Sequence, residues 1–151
     1  MRVILYQPDI AGNLGAVMRT CACLGAPLEI IEPCGFPLTA KSLRRTAMDY
    51  GAPETLKRHK DWQSFRVANS LERMVLLTTK GATPLPDFQF RPTDHLIFGR
   101  ESAGVPDEVH AAADQRIIIP MVTGMRSFNL ATSVAITLYE ALRQTEGLPA
   151  S

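Results

Sequence analysis

Five short apolar runs limit the folds that this chain can adopt. They cover residues 3–6, 28–31, 74–77, 96–98 and 117–119. Because these runs are continuous and do not alternate with polar residues, they predict strands that are covered on both faces. Helical patterns separate most of the runs, so crossover helices are expected to join the strands. The sequence therefore predicts an α/β fold with a mainly parallel sheet flanked by helices.

Four amphipathic patterns predict the helices. The first is expected to begin with Asn13 as its N-cap and to end near Gly25, since these residue types favour helix starts and ends. The others are predicted over residues 41–50, over 62–69, and from Leu130 to a point before Gly147. Residues 81–93 contain three prolines and are predicted to form a loop. No repeat or change of composition marks a second domain, so residues 1–151 are expected to form one domain.

Composition and charge exclude several classes of protein. The formal net charge of +1 argues against a protein that coats polyanions, although a local basic patch is compatible with it. No segment approaches the ~20 apolar residues of a membrane span. Three cysteines, Cys21, Cys23 and Cys34, favour unpaired thiols in a reducing cytosol. Cys21 and Cys23 would point apart on a helix, and no second Cys/His pair follows, so no metal site is expected.

Three polar segments are candidates for a ligand site. In the first, Gly15 and Arg19 are four residues apart, so they are expected to share a helical face. Gly15 would allow close approach of another chain, and Arg19 would place a positive charge beside that gap. Such a pair suits a phosphate or a ribose. The alternative is a capped surface helix with a solvated arginine.

The second and third segments follow predicted strands, where α/β proteins usually bind ligands. Residues 98–106 contain Gly99 and Gly104, which suggest a tight loop whose backbone amides face a ligand. A strand-to-helix turn without a ligand explains them equally well. The loop before the last helix presents Arg126, Ser127 and Asn129, which suit an anion or a nucleoside. Capping of the last helix is a sufficient structural reason for Asn129.

A basic run forms a fourth candidate, for contact with RNA phosphates. It comprises Lys41, Arg44, Arg45, Lys57, Arg58, His59 and Lys60. Solvation of one helix face is the alternative. Trp62 is either a base-stacking residue or a core residue. Neither His95, placed before a strand, nor His110, placed in a helix, has an evident acid or nucleophile partner in the sequence.

In this order, the segments resemble the SPOUT superfamily of RNA methyltransferases, specifically its SpoU-type 2′-O-methyltransferases. The resemblance covers almost the whole chain. The residues that carry it are Tyr6-Gln7-Pro8-Asp9-Ile10, Asn13-Leu14-Gly15, Arg19, Leu77-Thr78-Thr79-Lys80, Phe98-Gly99, Glu101, Gly104, Pro106, Ile119-Pro120-Met121, Arg126-Ser127, Asn129-Leu130, Ser133-Val134-Ala135 and Tyr139-Glu140-Ala141.

This resemblance implies a deep trefoil knot in the C-terminal part and a homodimer with the active site near its interface. It implies S-adenosylmethionine as the cofactor, with Arg19 and Asn129 as the catalytic residues. The cofactor positions that it implies are Leu77, Gly99, Glu101, Ile119, Met121, Ser127 and Leu130. RNA contacts are expected from Asn13, Lys41, Arg44, Arg45, Arg126 and Tyr139. For Tyr139, contact with the dimer partner or packing in the core are the alternatives.

The chain departs from the family pattern at several positions. Ala16 and Cys23 stand where polar residues are common, and Arg100 replaces a usual proline. Ser102-Ala103 replaces a Thr-Arg pair, and Ala131-Thr132 replaces Ser-Asn. The cofactor segments keep the pattern, so cofactor binding is expected. The changes at Ala16 and Ala103 bear on RNA contacts, and therefore on the target nucleotide.

The short chain is most similar to small family members that methylate the wobble ribose of tRNA, at a cytidine or modified uridine in position 34. Leucine isoacceptors are the expected substrates, and the anticodon stem-loop is the expected partner, in the cytoplasm and without a membrane. Methylation at another tRNA or ribosomal RNA position, or RNA binding without turnover, are the alternatives. A nucleotide-binding oxidoreductase is disfavoured because the glycine fingerprint is missing.

Overall fold

The computed structural model describes residues 1–47, 56–81 and 83–150, which form a seven-stranded sheet with helices on both faces. The strands are β1 (Arg2–Tyr6), β2 (Leu28–Ile31), β3 (Lys57–His59), β4 (Met74–Leu77), β5 (Thr83–Pro84), β6 (His95–Phe98) and β7 (Gln115–Ile118). The helices are α1 (Ala11–Leu24), α2 (Ala40–Ala47), α3 (Trp62–Ala68), α4 (Asp107–Ala112) and α5 (Leu130–Gln144). The predicted α/β class with a flanked parallel sheet is confirmed.

The order of the strands brings distant parts of the sequence together. It is β3-β2-β1-β6-β4-β7-β5, and every neighbouring pair is parallel. β1 and β6 lie side by side in the middle of the sheet, although β2 to β5 come between them in the sequence. Because parallel strands end at the same edge, the loops that follow β1, β4, β6 and β7 meet there.

Burial on both faces explains why the apolar runs are continuous. Val3 and Leu5 of β1 belong to a core that includes residues of α1 and α5. Ile4 and Tyr6 belong to a second core, on the α3 and α4 side. Since successive side chains of a strand point to opposite faces, an uninterrupted apolar run supplies both cores.

The predicted end of α1 is confirmed, whereas its predicted start is wrong. Gly25 caps the helix in the left-handed conformation, with a φ of 69°. The helix begins at Ala11, after Ile10, so Asn13 lies within its first turn. The Asn13 side chain is engaged by other loops and does not cap the helix. On the same helix Cys21 is buried and Cys23 is exposed, as predicted, and burial raises the pKa of Cys21 to about 12.

Two edge strands were not predicted. β3 contains only basic residues and pairs only with β2 among the described strands, so it did not need the apolar pattern of a central strand. β5 lies in the segment predicted to be a loop and is two residues long. His95 was placed before a strand but belongs to β6 and is buried. Of the predicted helix over residues 41–50, the part from residue 48 lies outside the described residues.

No helix in the described part of the chain combines the length and the apolar character needed to cross a bilayer.

Candidate active site

A cleft of about 520 Å³ lies at the carboxyl ends of β4, β6 and β7. The loops after these strands border it, together with the first turn of α1 and the start of α5. The seven positions that the family resemblance assigns to the cofactor all line it: Leu77, Gly99, Glu101, Ile119, Met121, Ser127 and Leu130. Asn13, Arg126 and Asn129 line it as well. The second and third polar segments therefore meet at one place in the fold, together with Asn13 of the first turn of α1.

One wall of the cleft is apolar and continuous with the hydrophobic core. Phe98, Ile119 and Leu130 are buried in the core formed with α1 and α5, and Leu77 packs against them from a half-buried position. Close packing holds such a wall in place. An apolar wall with a few polar groups at its margin is typical of a small-molecule site.

The loop after β6 folds back on itself and closes one side of the cleft. Arg100 and Gly104 exchange backbone hydrogen bonds of 3.0 and 2.8 Å. A Cβ on Gly99 would lie 2.6 Å from the carbonyl carbon of Gly104, so only glycine fits at position 99. The prediction that these amides face a ligand is wrong for Arg100, Ser102 and Gly104. Their N–H groups bond within the protein, that of Ser102 to the Asp9 carboxylate at 3.1 Å.

Glu101 links the loop after β6 to the loop after β1. One carboxylate oxygen accepts a hydrogen bond of 2.6 Å from the backbone N–H of Asp9. The other accepts a bond of 3.2 Å from the side-chain amide of Asn13. These bonds brace the margin of the cleft. Direct contact between Glu101 and a cofactor stays a prediction.

Asn129 uses both ends of its side-chain amide. The oxygen accepts hydrogen bonds from the N–H groups of Ala131 at 2.9 Å and Thr132 at 3.3 Å, which caps α5 as predicted. The nitrogen donates to the side-chain oxygen of Asn13 at 3.0 Å. Because an amide nitrogen carries two N–H groups, Asn129 has a second donor with which to reach a ligand. Capping and a role in the cleft are therefore compatible.

The other end of the cleft holds polar residues that received no role from the sequence. Nε2 of His110, in α4, lies 3.5 Å from the hydroxyl of Thr78. That hydroxyl accepts a 3.1 Å bond from the backbone N–H of Lys80, and all three residues line the cleft. Thr78 and Lys80 belong to a family-like segment. The sequence did not indicate a role for His110, because its partner, Thr78, lies 32 residues earlier in the chain.

Arg19 is exposed and is not among the described residues that line the cleft of its own chain. It follows Asn13 by six residues, which corresponds to about 9 Å along a helix axis. Gly15 is buried against α2, where a Cβ would lie 2.5 Å from the carbonyl oxygen of Thr46. The close approach expected at Gly15 is therefore confirmed, but the segment that approaches is α2 and not a phosphate or a ribose. The catalytic role of Arg19 stays a prediction.

Several residues assigned to RNA contact lie at the surface. Lys41, Arg44 and Arg45 are exposed on α2, and Arg126 is exposed in the loop beside the cleft. Tyr139 of α5 is 53% exposed, which excludes the alternative that it packs in the core. These positions are open to a partner, and contact with RNA stays a prediction for each of them.

The basic run does not continue to residue 60 as one cationic surface. Arg58 forms two hydrogen bonds with the Glu32 carboxylate, of 3.2 and 2.7 Å. His59 is buried, with Nε2 at 2.6 Å from the Glu29 carboxylate. Acidic residues that lie about 30 positions earlier therefore balance this part of the run. Trp62 is a core residue and not a base-stacking one, since it is buried.

Comparison with known proteins places these features in a family. Residues 1–139 match the model of the SpoU rRNA Methylase family. A relative from Beijerinckia indica, named tRNA (cytidine(34)-2′-O)-methyltransferase, is 51% identical over 146 residues. The match covers 95% of this chain and 91% of the relative.

Two solved structures share the architecture. One, described as "Structural insights into the 2-OH methylation of C/U34 on tRNA", matches with a TM-score of 0.88 and 40% identity, over 95% of this chain and 94% of that chain. The other is the SpoU methyltransferase AviRb from Streptomyces viridochromogenes in complex with the cofactor AdoMet. Its TM-score is 0.76 and its identity 26%, over 95% of this chain and 57% of that chain.

Proposed function

Because the chain belongs to the SpoU methylase family, we propose that it methylates the 2′-oxygen of the wobble nucleotide of tRNA, using S-adenosylmethionine. The target is nucleotide 34, a cytidine or a modified uridine. The observation that carries this proposal is the relative named for that reaction, which is 51% identical over 95% of this chain. The meeting of all three family-like segments at one cleft supports catalysis rather than a vestigial fold.

The cleft fits S-adenosylmethionine in size and in chemistry. Its volume of about 520 Å³ lies within the ~300–1,000 Å³ that is usual for small-molecule sites. Leu77, Phe98 and Ile119 offer an apolar wall to an adenosine, and polar groups stand at both ends. When bound, the cofactor supplies a methyl group that is activated by a sulfonium sulfur.

The chain has two tasks, to align the ribose 2′-oxygen with that methyl group and to favour loss of the hydroxyl proton. Alignment alone can contribute up to ~7–11 kcal/mol. We assign Arg19 a clamp on the neighbouring phosphate and ribose, where it stabilises negative charge on the 2′-oxygen. A guanidinium stays protonated in proteins, so Arg19 is not the base. The proton passes to the phosphate or to water, and Asn129 orients the groups in the cleft.

A homodimer accounts for the position of Arg19 outside its own cleft. α1 packs against α5, and both helices have exposed faces. Exposed apolar groups lie nearby: Ile10 precedes α1, and Ile136 and Tyr139 belong to α5. A second copy of the chain on this face would bury them. We propose that Arg19 of one protomer reaches the cleft of its partner in this way.

The proposal includes the deep trefoil knot of the family and a single domain over residues 1–151. The course of the chain after β7 supports the knot. β7 lies near one edge of the sheet. From there the chain passes along the cleft and returns to α5, which packs against α1 near the other side. Because tRNA is the proposed substrate, we place the protein in the cytoplasm.

Alanine at Lys41, Arg44 and Arg45 together is expected to weaken tRNA binding. Each phosphate contact releases about one counterion when tRNA binds. Loss of three contacts should therefore reduce the magnitude of the slope of log affinity against log salt by about 2–3. Binding titrations with tRNA at several salt concentrations measure this slope. Arg91→Ala, which removes an exposed cation before β6, is the control and should leave the slope within 1 unit, the effect of about one phosphate contact. An unchanged slope in the triple variant would remove α2 from the RNA surface.

Nucleoside mass spectrometry of tRNA from a strain that lacks the gene tests the reaction and its site. We expect a 2′-O-methylated nucleoside to disappear from position 34, in the leucine isoacceptors, and to return on complementation. If another 2′-O-methyl group disappears while the wobble ribose stays methylated, the methyltransferase assignment stands and the target is wrong. If no RNA changes, the result favours the alternative of RNA binding without turnover.

A further inference from the structure

The loops after β1 and β6 are joined by hydrogen bonds that run in both directions. The Arg100 guanidinium donates to both carboxylate oxygens of Asp9, with Nε at 3.1 and 3.3 Å. Ser102 donates to the same carboxylate through its N–H and its hydroxyl. Hydrogen bonds from Arg100 and Ser102 hold the pKa of Asp9 well below its usual range, so the group stays a carboxylate at neutral pH. In return, the Asp9 N–H donates to Glu101.

These bonds continue to the start of α5. Glu101 accepts from Asn13, Asn13 accepts from Asn129, and Asn129 caps the helix. Glu101, Asn13 and Asn129 line the cleft, whereas Arg100 and Asp9 do not. The Arg100–Asp9 pair therefore sits at one end of a series of side chains, and the proposed catalytic amide of Asn129 sits at the other.

The other side of Asp9 is restrained by the backbone. A Cβ on Gly35 would lie 2.9 Å from the Cα of Asp9, and the Gly35 N–H donates to the carbonyl of Pro8 at 3.0 Å. Gln7 has a φ of 46°, in the left-handed region that residues other than glycine adopt only when surrounding contacts hold them there. The backbone around Asp9 is therefore restrained. Through its bonds to Asp9, Arg100 can fix the position of the loop after β6.

An ion pair of this kind contributes position more than stability. The Asp9 and Arg100 side chains are 19% and 32% exposed, and partly exposed pairs add little to the free energy of unfolding. A bidentate arginine–carboxylate pair nevertheless fixes the relative orientation of its two groups. Loss of the pair should therefore disturb the cleft without unfolding the protein.

We propose that Arg100 and Asp9 are positioning residues, which set the place of Glu101 and, through Asn13, of the Asn129 amide in the cleft. This rests on the function proposed above.

The test compares Arg100→Ala, Arg100→Lys and Asp9→Asn with the wild type. The control is Arg58→Ala, which removes another two-bond arginine–carboxylate pair, formed with Glu32, and neither of these residues lines the cleft. We expect kcat for tRNA methylation to fall about 10-fold to 100-fold in Arg100→Ala and Asp9→Asn, the scale of a small misplacement of reacting groups. Arg100→Lys should recover part of this, and the control should match the wild type.

A second readout does not depend on activity. The side-chain amide resonances of Asn13 and Asn129 in ¹⁵N–¹H spectra should shift in Arg100→Ala and not in Arg58→Ala. If kcat and these resonances in Arg100→Ala match the control, the proposal is overturned. If the wild type shows no methyl transfer, the proposed function fails, and the resonances alone decide whether Arg100 positions the amides.

Discussion

Arg19→Ala is expected to lower kcat for methylation of tRNA about 100-fold to 1,000-fold, the usual cost of losing one charge-stabilising donor in a transition state. The affinity for S-adenosylhomocysteine should stay within about twofold of the wild type, because the proposed clamp holds the phosphate and ribose of the tRNA and not the cofactor. Single-turnover transfer of a labelled methyl group and calorimetric binding of the product measure the two quantities separately.

Arg19→Lys distinguishes a clamp from a simple positive charge. Lysine keeps the charge but lacks the planar fork that can hold a phosphate and a ribose oxygen together. We therefore expect most of the loss seen with alanine. Near-full activity in the lysine variant would rule out the clamp, and a loss of cofactor affinity in either variant would place Arg19 at the cofactor instead.

Gly99→Ala is expected to reduce kcat/KM about 100-fold through the cofactor site. The added Cβ would lie 2.6 Å from the carbonyl carbon and 2.7 Å from the Cα of Gly104, and neither backbone atom can turn aside. The loop after β6 must shift, and this loop closes the cleft. Such overpacking costs about 1–3 kcal/mol, so the protein should still fold. Cofactor binding and thermal melting, measured on the same sample, check both points.

Gly12→Ala is the matched control, because it adds the same methyl group where nothing lies within 4 Å. It should bind the cofactor as the wild type does.

The two impaired variants, Arg19→Ala and Gly99→Ala, also test the proposed dimer. A mixture of Arg19→Ala and Gly99→Ala protomers should regain activity, since one protomer keeps an intact cleft and the other supplies Arg19. No recovery after subunit exchange would mean that each cleft uses its own Arg19.

The central part of the fold could be predicted because burial on both faces leaves a continuous apolar pattern in the sequence. β1, β4 and β6 carry it over most of their length, whereas the buried Glu29 interrupts it in β2 and only the second half of β7 shows it. The edge strands do not, since one open side removes the need for apolar residues. The residues of β3 were therefore misinterpreted from the sequence. Lys57, Arg58 and His59 resemble a phosphate-binding run, but in the fold they pair with Glu29 and Glu32.

The residues of the candidate site could be predicted from the sequence, but the hydrogen bonds between them could not. All seven cofactor positions line the cleft, because local motifs carry them. The bonds that organise the cleft could not be predicted, since they join residues far apart in sequence. Asn13 lies 88 residues from Glu101 and 116 from Asn129. Asp9, Arg100 and His110 gained their significance only from such neighbours.

These long separations have a consequence for how the protein matures. Contacts between distant residues form only after long loops have closed, and the entropy of closing them is lost before the contacts stabilise anything. The last link of the series in the cleft belongs to α5, the final helix of the described chain. A nascent chain without α5 therefore has both central strands and no finished site. A ligand that binds only the native state stabilises that state. The cofactor would therefore stabilise the enzyme after folding is complete and would not stabilise incomplete chains.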